Sequence, residues 1–303
     1  MKKIKEKIAQ SIKSKTLFQN LFYICLLKLN ICSKSTIRSM RNDRAYYKLK
    51  KIYEKKIKKD CEFEISNSDD NYIWIFWYQG LENAPELIKN CYNSVVNKLG
   101  KKNRIIVLTK DNYQNYVDIP QYILKKLESK HITITHFSDI LRLALLVKYG
   151  GLWLDATVYC SGSNELEEIN KNELFVYRDS WWEDNIINMG SWLIYAKKNN
   201  IILKKTLQLL YEYWKKNEYL LNYFLLHLFF RMVSDNYVSE WKNVPYYTQI
   251  NNHLLAYEME TKKEYDEKRI ANIFRLTDFH KLSYKTGIDN EDNNIYIKLI
   301  KKR

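Results

Sequence analysis

The first half of the chain alternates buried-strand patterns with amphipathic helical patterns. Tyr72–Tyr78 (YIWIFWY) is a continuous apolar run, which predicts a strand buried on both faces. Pro85 stands where a first helical turn begins, and the apolar spacing over Glu86–Leu99 predicts an amphipathic helix. Arg104–Leu108 predicts a second buried strand, and a short polar helix is expected near Asp111.

The alternation continues through the middle of the chain. Ile132–Thr135 predicts a third strand, and Ser138–Lys148 predicts an apolar helix that stops at Gly150 and Gly151. The run LWLD then predicts a strand over Leu152–Ala156. Two further strands and a region of two apolar helices are predicted at Glu173–Tyr177, Met189–Ala196 and Asn199–Val233. Alternating strands and helices indicate an α/β protein with a mostly parallel sheet.

The amino-terminal segment differs from the rest of the chain in pattern and in charge. Residues 1–60 are helical in pattern, and the polar cluster Ser66–Asn71 marks the best boundary. We therefore predict a basic helical arm over residues 1–65 and one large domain over residues 66–303. The net charge is +15, and the first 59 residues carry eighteen Lys or Arg against three acids. Such an arm indicates a tether to an anionic surface, either lipid or nucleic acid, with a solvated helical face as the alternative.

Three features of the sequence bear on its compartment. No apolar run with a cleavage site follows the basic start, so no secretory signal is expected. The apolar stretch Leu17–Ile31 contains four polar residues and is shorter than the about 20 apolar residues that span a bilayer, although an interfacial helix is possible. The five cysteines form no CxxC pair or Cys/His cluster, which disfavours zinc and suits a reducing compartment. We expect a cytoplasmic protein, peripheral on the inner face of the cell membrane.

Candidate chemistry is concentrated in one helix and in the strand that follows it. Ser138 is suited to cap the helix, and the helix dipole favours Asp139 in the first turn. Arg142 lies one turn after Asp139 on the same face, so the two can pair, and a guanidinium suits phosphate or sugar hydroxyls. Asp155 ends the strand face that begins with Trp153, and turn capping is the structural alternative. Because open α/β sheets bind ligands at the carboxyl ends of their strands, a ligand site is predicted here.

The segments SDILR and KYGGLWLDAT resemble the core of the DXD sugar-transferase superfamily, which includes initiating α-mannosyltransferases and clostridial glucosylating toxins. More closely, the chain resembles bacterial capsular polysaccharide synthesis proteins of that group. The blocks that carry the resemblance are IWIFWYQGLENAPELIKNC, THFSDILRLALLVKYGGLWLDAT, LNYFLLH and HKLSYK. They cover roughly Tyr72–Lys285 and leave the arm outside. The resemblance implies a GT-A-like (Rossmann-like) fold with a mixed, mainly parallel sheet and added helices.

The resemblance also implies roles for individual residues. Asp139 and Arg142 match residues that hold hydroxyls of the donor sugar and its phosphate environment. Asp155 matches the first acid of DXD, which contacts the ribose and the transferred sugar. Trp77 matches an aromatic residue that stacks on the nucleotide base, whereas its sequence position alone would make it ordinary core.

The second acid of DXD, the usual Mn²⁺ or Mg²⁺ ligand, is Thr157 in this chain. A hard cation prefers carboxylate oxygens, so metal dependence is in doubt, although Asp155 with phosphate oxygens and water could still hold an ion. His280 and Lys281 match the family block near the donor diphosphate. Lys281 or Lys285 would neutralise charge on the leaving group, with a solvated lysine as the alternative.

The remaining candidates carry weaker signals. Asn188 and Trp192 lie around a predicted strand and would line the sugar pocket, with core packing as an equal alternative. Asn222 and His227 lie on an apolar helix, where a satisfied polar residue is the commoner explanation. No residue stands out as a nucleophile or a general base.

By resemblance, we expect a glycosyltransferase that moves a hexose from a UDP- or GDP-sugar to a glycan hydroxyl with retention of configuration. The expected pathway is synthesis of capsular or other surface polysaccharide, and the expected acceptor is a lipid-linked oligosaccharide at the membrane. Two alternatives are a catalytically inactive, transferase-like assembly subunit, suggested by Thr157, and a membrane-surface scaffold. A nucleic-acid-binding protein is disfavoured because the basic residues are confined to the arm and no binding motif is found.

Overall fold

The computed structural model describes residues 17–68, 71–178, 186–261, 264–286 and 293–300. Its strands are β1 (Tyr72–Phe76), β2 (Arg104–Leu108), β3 (Gly151–Asp155), β4 (Val158–Cys160), β5 (Leu174–Val176), β6 (Leu193–Ala196) and β7 (Phe279–Lys281). Five of them form a central sheet in the order β2-β1-β3-β6-β5, and β4 pairs with β7 in a second sheet. β1 runs parallel to β2 and β3, whereas β6 runs antiparallel to β3 and β5. The predicted α/β class with a mixed sheet and added helices is confirmed.

Helices flank both sheets. The α-helices are α1 (Leu17–Lys28), α2 (Lys34–Ile57), α3 (Glu86–Leu99), α4 (Gln121–Glu128), α5 (Ile134–Tyr149), α6 (Asn164–Ile169), α7 (Ile201–Lys216), α8 (Leu225–Asn236), α9 (Val238–Lys242), α10 (Ile250–Thr261) and α11 (Glu267–Leu276). Short 3₁₀ turns lie at Leu81–Asn83 and Tyr113–Asn115, and a π-helical turn at Tyr296–Ile300. α3 has the predicted bounds, the 3₁₀ turn after β2 replaces the predicted short helix, and the two predicted apolar helices are α7 and α8.

The two faces of the central sheet pack against different cores. β1 is buried along its whole length, as its continuous apolar run predicts. Trp74 and Trp153 belong to the core that includes α5, α7 and α8. Leu152 and Leu154 belong to the core on the other face, with α3, β4 and β7. Because side chains alternate along a strand, Asp155 lies on the Trp153 face, toward α5.

The start of α5 corrects two predictions. Ile132–Thr135 is not a strand, since Thr133 caps a helix that begins at Ile134 and its hydroxyl accepts a hydrogen bond from the His136 amide at 3.2 Å. Ser138 is therefore an interior residue and not the N-cap, and its hydroxyl donates to the Thr135 carbonyl at 2.7 Å. The β-branched run ITIT has a strand-like composition, but the threonine cap starts the helix one turn earlier.

The end of α5 agrees with the prediction. Gly150 and Gly151 have φ angles of 71° and 93°, a region that residues with a Cβ rarely occupy. A Cβ on Gly151 would lie 2.4 Å from the Tyr72 carbonyl oxygen, so β1 and β3 can pair only with glycine here. The two glycines thus turn the chain from α5 directly into the centre of the sheet.

Part of the predicted basic arm packs against the main body. α2 buries Leu49, Tyr53 and Ile57 in the core that contains α7 and α8. The first sixteen residues of the arm lie outside the described residues, and the division at residue 65 stays a prediction. In the part of the chain that the structure describes, no helix has the length and apolarity needed to cross a membrane.

Candidate functional site

The site lies where α5 meets the carboxyl end of β3. Asp155 is the last residue of β3 and is opposite Phe76, the last residue of the parallel strand β1. The Asp155 amide donates to the Trp192 carbonyl at 2.8 Å, which fixes the backbone at this edge. Asp139 and Arg142 project from α5 toward the same edge, because they occupy one helical face.

Five side chains converge there and form what we call the Asp155 cluster: Asp139, Arg142, Asp155, Thr157 and Lys281. Arg142 Nη2 lies 3.1 Å from Asp139 Oδ1 and 3.6 Å from Asp155 Oδ1. Lys281 Nζ lies 3.2 Å from the other carboxylate oxygen, Asp155 Oδ2, and also donates to Thr157 Oγ1. Asp155 therefore stands between a guanidinium and an ammonium. The predicted convergence of the two acids with Arg142 is present in the structure.

The Arg142 guanidinium is held in one orientation by its neighbours. Its Nε donates to the Ser138 carbonyl and its Nη2 to the Ser138 hydroxyl, each at 3.2 Å, and its Nη1 donates to the Ser191 carbonyl. The guanidinium carbon also lies 4.9 Å from the centre of the Trp153 ring. Trp153 Nε1 in turn donates to Asp155 Oδ1 at 3.2 Å. A side chain fixed in this way gives a preorganised cation at the edge of the sheet.

Asp139 is a buried carboxylate with two cationic or polar neighbours. Trp214 Nε1 donates to His136 Nε2 at 2.8 Å, so the imidazole proton lies on Nδ1, 3.5 Å from Asp139 Oδ2. Burial alone would raise the pKa of Asp139, but the Arg142 charge and His136 outweigh it and the pKa is lowered. Asp139 is consequently ionised at neutral pH and holds a negative charge beside Arg142.

The cluster becomes more accessible from α5 toward β7. The Arg142 and Asp139 side chains are 4% and 11% exposed, whereas those of Asp155 and Lys281 are 29% and 22% exposed. Tyr223 is 66% exposed, and partial burial and the charges of Asp139 and Asp155 raise its pKa. Because those charges act on it, Tyr223 lies near the two acids, at a position that we call the rim of the cluster. Sequence reasoning did not single out Tyr223, although it lies in the family block LNYFLLH.

Two predicted site residues are not brought to the cluster. His280 is fully buried, its Nε2 is 2.9 Å from the Ser161 hydroxyl, and burial lowers its pKa to about 3. It points away from Lys281 because neighbouring residues of β7 face opposite sides. The Trp192 indole is buried on the other face of the sheet, where it stacks on Tyr177 and donates to Gln249 Oε1 at 3.0 Å. The core alternative explains the position of Trp192, and His280 is also a core residue.

Trp77 and Asn188 each have a buried polar atom to which a ligand could bind. Trp77 follows β1 at the edge that carries Asp155, is partly buried, and meets Tyr284 edge-on with ring centres 5.7 Å apart. Trp77 Nε1 and Asn188 Oδ1 are buried without a hydrogen-bond partner among the described residues. Such groups are rare in folded proteins, so each is a candidate contact for a ligand. Lys285 lies over the Tyr284 ring at 5.6 Å, outside the Asp155 cluster.

The predicted metal position is a poor fit to a hard dication. Asp155 Oδ2 and Thr157 Oγ1, the oxygens that correspond to the two acids of DXD, both contact Lys281 Nζ. Mg²⁺ and Mn²⁺ favour carboxylate oxygens, and an ammonium between the two oxygens competes for the same place. Within the described ranges, no three His, Cys, Asp or Glu side chains are grouped so that they could hold a metal ion.

A separate cleft of about 540 Å³ lies at the far end of β7. It is bordered by α6, α10 and the end of α11, and none of the predicted site residues line it. Its polar lining includes Glu165, Tyr177, Asn251, Thr277 and Asp278. The Glu165 carboxylate already accepts hydrogen bonds from the Tyr177 and Thr277 hydroxyls, at 2.5 and 2.7 Å. These polar groups of the cleft are therefore bonded to one another.

Comparison with known proteins identifies the family of the chain. A sequence profile described as capsular polysaccharide synthesis protein matches residues 27–300. Glycosyltransferase afumC from Aspergillus fumigatus is 34% identical over 100 residues, which cover 30% of this chain and 25% of that protein. O-glycosyltransferase braB from Annulohypoxylon truncatum is 25% identical over 166 residues, 48% of this chain and 38% of that protein. Among solved structures, PaToxG Glycosyltransferase is 16% identical with a TM-score of 0.38, over 65% of this chain and 79% of that one.

The extent of these matches differs. The chain spans less than two fifths of the length of the two fungal relatives. The family profile instead covers nearly the whole chain and begins within the predicted arm, well before the first sequence block at Ile73. The chain belongs to the family of capsular polysaccharide synthesis proteins.

Proposed function

We propose that this protein is a glycosyltransferase that moves a hexose from a UDP- or GDP-sugar to a hydroxyl of a growing capsular or other surface glycan. The observation that carries the proposal is the convergence of Asp139, Arg142 and Asp155, with Lys281 closing the site. Two acids and two cations at the carboxyl end of a β-strand suit a ligand with both hydroxyls and phosphates. The names of the fungal relatives support glycosyl transfer as the reaction class.

In this proposal the residues on α5 grip the donor sugar. Asp139 is ionised and accepts hydrogen bonds from sugar hydroxyls, while Arg142 donates to hydroxyl or phosphate oxygens. Asp155 contacts the ribose and the transferred sugar, and Tyr223 at the rim meets the sugar or the acceptor. Because these side chains are held before the donor arrives, the site acts chiefly by positioning.

Lys281 supplies the positive charge at the diphosphate. Its ammonium already lies between Asp155 and Thr157, where a divalent ion would otherwise be held. When the bond between the sugar and the diphosphate breaks, negative charge develops on the leaving group and a fixed cation stabilises it. We therefore propose that turnover does not require Mn²⁺ or Mg²⁺.

Trp77 completes the donor site. It lies at the end of β1, next to the edge that carries Asp155, and its Nε1 has no partner among the described residues. An indole there offers a face for the nucleotide base and a donor for a base or ribose oxygen. The acceptor is a lipid-linked oligosaccharide, and the anomeric configuration is retained, as in the transferases that the chain resembles.

A hydrolysis screen of UDP- and GDP-sugars tests the proposal. Release of nucleoside diphosphate is measured with the full chain in EDTA and, separately, with Mn²⁺. We expect release from one donor, with the rate in EDTA within about tenfold of the rate in Mn²⁺. Nucleotide binding without release would instead support the inactive assembly subunit that Thr157 suggests, and a strict Mn²⁺ requirement would refute the role given to Lys281.

A further inference from the structure

An exposed apolar surface lies on the first described helix. Of the twelve residues of α1, only Tyr23 is buried. The large apolar side chains exposed in this helix and the turn after it are Phe18, Leu21, Phe22, Ile24, Leu29 and Ile31, which we call the α1 surface. Phe18 is 86% exposed and Phe22 56%, values far from those of core phenylalanines such as Phe137 at 0%. Large apolar side chains exposed together on one helix suit a contact with a partner or a membrane.

The charges around the α1 surface favour an anionic lipid bilayer as the partner. Residues 17–42 contain no Asp or Glu, and Lys28, Lys34 and Arg41 are exposed among the apolar side chains. Aromatic and aliphatic side chains mixed with lysine and arginine suit the boundary between headgroups and acyl chains. α1 is about 18 Å long, which is too short to cross the hydrocarbon core but suited to lying in the interface.

Contacts on α2 link the helix that carries the α1 surface to the segment before Tyr223. The Arg41 guanidinium lies 5.2 Å from the centre of the Tyr23 ring, so α1 and α2 touch at this point. The adjacent residue, Asn42, is buried, and its Oδ1 accepts a hydrogen bond from Asn222 Nδ2 at 2.8 Å. Asn222 directly precedes Tyr223, the residue at the rim of the cluster. A short path of two contacts and two chain links therefore runs from Tyr23, on the helix that carries the α1 surface, to Tyr223 beside the cluster.

We propose that the α1 surface inserts into the interface of an anionic membrane and holds the opening of the Asp155 cluster beside acceptors carried on lipid. The observations that support the membrane contact are the set of exposed apolar side chains and the positive charges around them. The role of the bilayer in presenting the acceptor rests on the proposed glycosyl transfer.

Flotation with vesicles tests the contact. The full chain is mixed with vesicles of phosphatidylcholine and phosphatidylglycerol, or of phosphatidylcholine alone, and the bound fraction is measured. The wild type binds the anionic vesicles more tightly than the neutral ones. F18S/F22S lowers the partition coefficient for anionic vesicles at least about tenfold, because two aromatic side chains no longer enter the interface.

A matched double variant separates this effect from general loss of apolar surface. Val238 and Leu276 are 49% and 54% exposed on other helices, so V238S/L276S removes exposed apolar side chains outside the α1 surface. It binds within about twofold of the wild type. Circular dichroism confirms that both variants are folded.

Three results would overturn the proposal. The first would be failure of the wild type to float with anionic vesicles, and the second would be wild-type binding by F18S/F22S. The third would be conversion of a wild-type dimer to a monomer by F18S/F22S, which would identify a second copy as the occupant. Donor hydrolysis in solution separates this proposal from the proposed function. Vesicle binding without hydrolysis of any donor supports the membrane contact and counts against the transferase.

Discussion

Replacing Asp139 with asparagine tests whether the charges on α5 form a buried, mutually dependent pair. The side chains of Asp139 and Arg142 are 11% and 4% exposed, and their closest atoms are 3.1 Å apart. Removing one partner of a buried pair leaves the other charge uncompensated, which costs about 3–5 kcal/mol. Since Asp155 still lies 3.6 Å from Arg142, we expect the lower end of that range, about 3 kcal/mol.

Thermal unfolding measures this effect against a matched control. A loss of about 3 kcal/mol corresponds to a fall in Tm of about 5–10 °C for a domain of this size. Glu168 and Lys171 form an ion pair with the same spacing of three residues, 2.6 Å apart, but their side chains are 62% and 66% exposed. Glu168→Gln therefore lowers Tm by no more than about 2 °C. Equal losses in the two variants would refute the idea that Asp139 and Arg142 depend on each other.

The pKa of Asp139 in the folded protein determines how the difference in Tm between the wild type and Asp139→Asn varies with pH. Burial raises the pKa of Asp139, but Arg142 and His136 lower it by more than burial raises it. The folded pKa therefore lies below the usual value. Such a carboxylate stabilises the fold above its unfolded pKa, about 3.9, and the stabilisation is lost as the pH falls through the folded pKa. The difference in Tm between the wild type and Asp139→Asn is thus constant from about pH 8 to about pH 5. A difference that vanishes near pH 6 would show that Asp139 is neutral in the folded protein.

Three further substitutions separate binding and catalysis from folding. Lys281→Met lowers kcat by at least about 100-fold because the fixed cation at the leaving group is lost, as steady-state kinetics with the best donor will show. His280→Phe, on the same strand, lowers Tm but leaves kcat of the folded protein within about threefold, since His280 faces the core. Trp77→Ala weakens binding of the nucleoside diphosphate by about tenfold or more in calorimetric titration, because base stacking contributes about 1–3 kcal/mol. Unchanged kcat in Lys281→Met, or unchanged affinity in Trp77→Ala, would remove that residue from the site.

The site residues that lie close together in the sequence could be predicted from it. Asp139 and Arg142 are three residues apart on one apolar helix, and two glycines lead directly into the strand that ends at Asp155. Each relation lies within seventeen consecutive residues, so the periods of helix and strand fix which side chains meet. Their convergence in the structure follows from those periods.

The contribution of β7 could not be predicted in the same way. Lys281 reaches Asp155 only because β4 pairs with β7, and the Lys281–Thr157 contact spans 124 residues of sequence. β7 has three residues, too few for alternation to show which side chain faces the core. His280 and Lys281 thus appeared equivalent, whereas one is buried and the other reaches the cluster. Tyr223 was missed because it lies in the segment before α8, about 70 residues or more from Asp139 and Asp155 in the sequence, so no local spacing places it near them.

The start of α5 shows how composition misleads at an element boundary. Ile132–Thr135 alternates β-branched residues, which favour strands, yet the Thr133 hydroxyl satisfies a free amide of the helix that follows. The predicted strand Met189–Ala196 starts too early for a related reason, since β6 begins only at Leu193. Both errors concern residues at the ends of elements, where tertiary contacts decide.

Turnover of the best donor by Asp155→Asn and Arg142→Ala tests the central claim most directly. If the cluster grips an activated sugar, each variant releases nucleoside diphosphate at least about 100-fold more slowly than the wild type at saturating donor, while circular dichroism shows a folded protein. Release by either folded variant within about threefold of the wild type would contradict the claim, because the carboxylate and guanidinium would then make no contact that matters in the transition state.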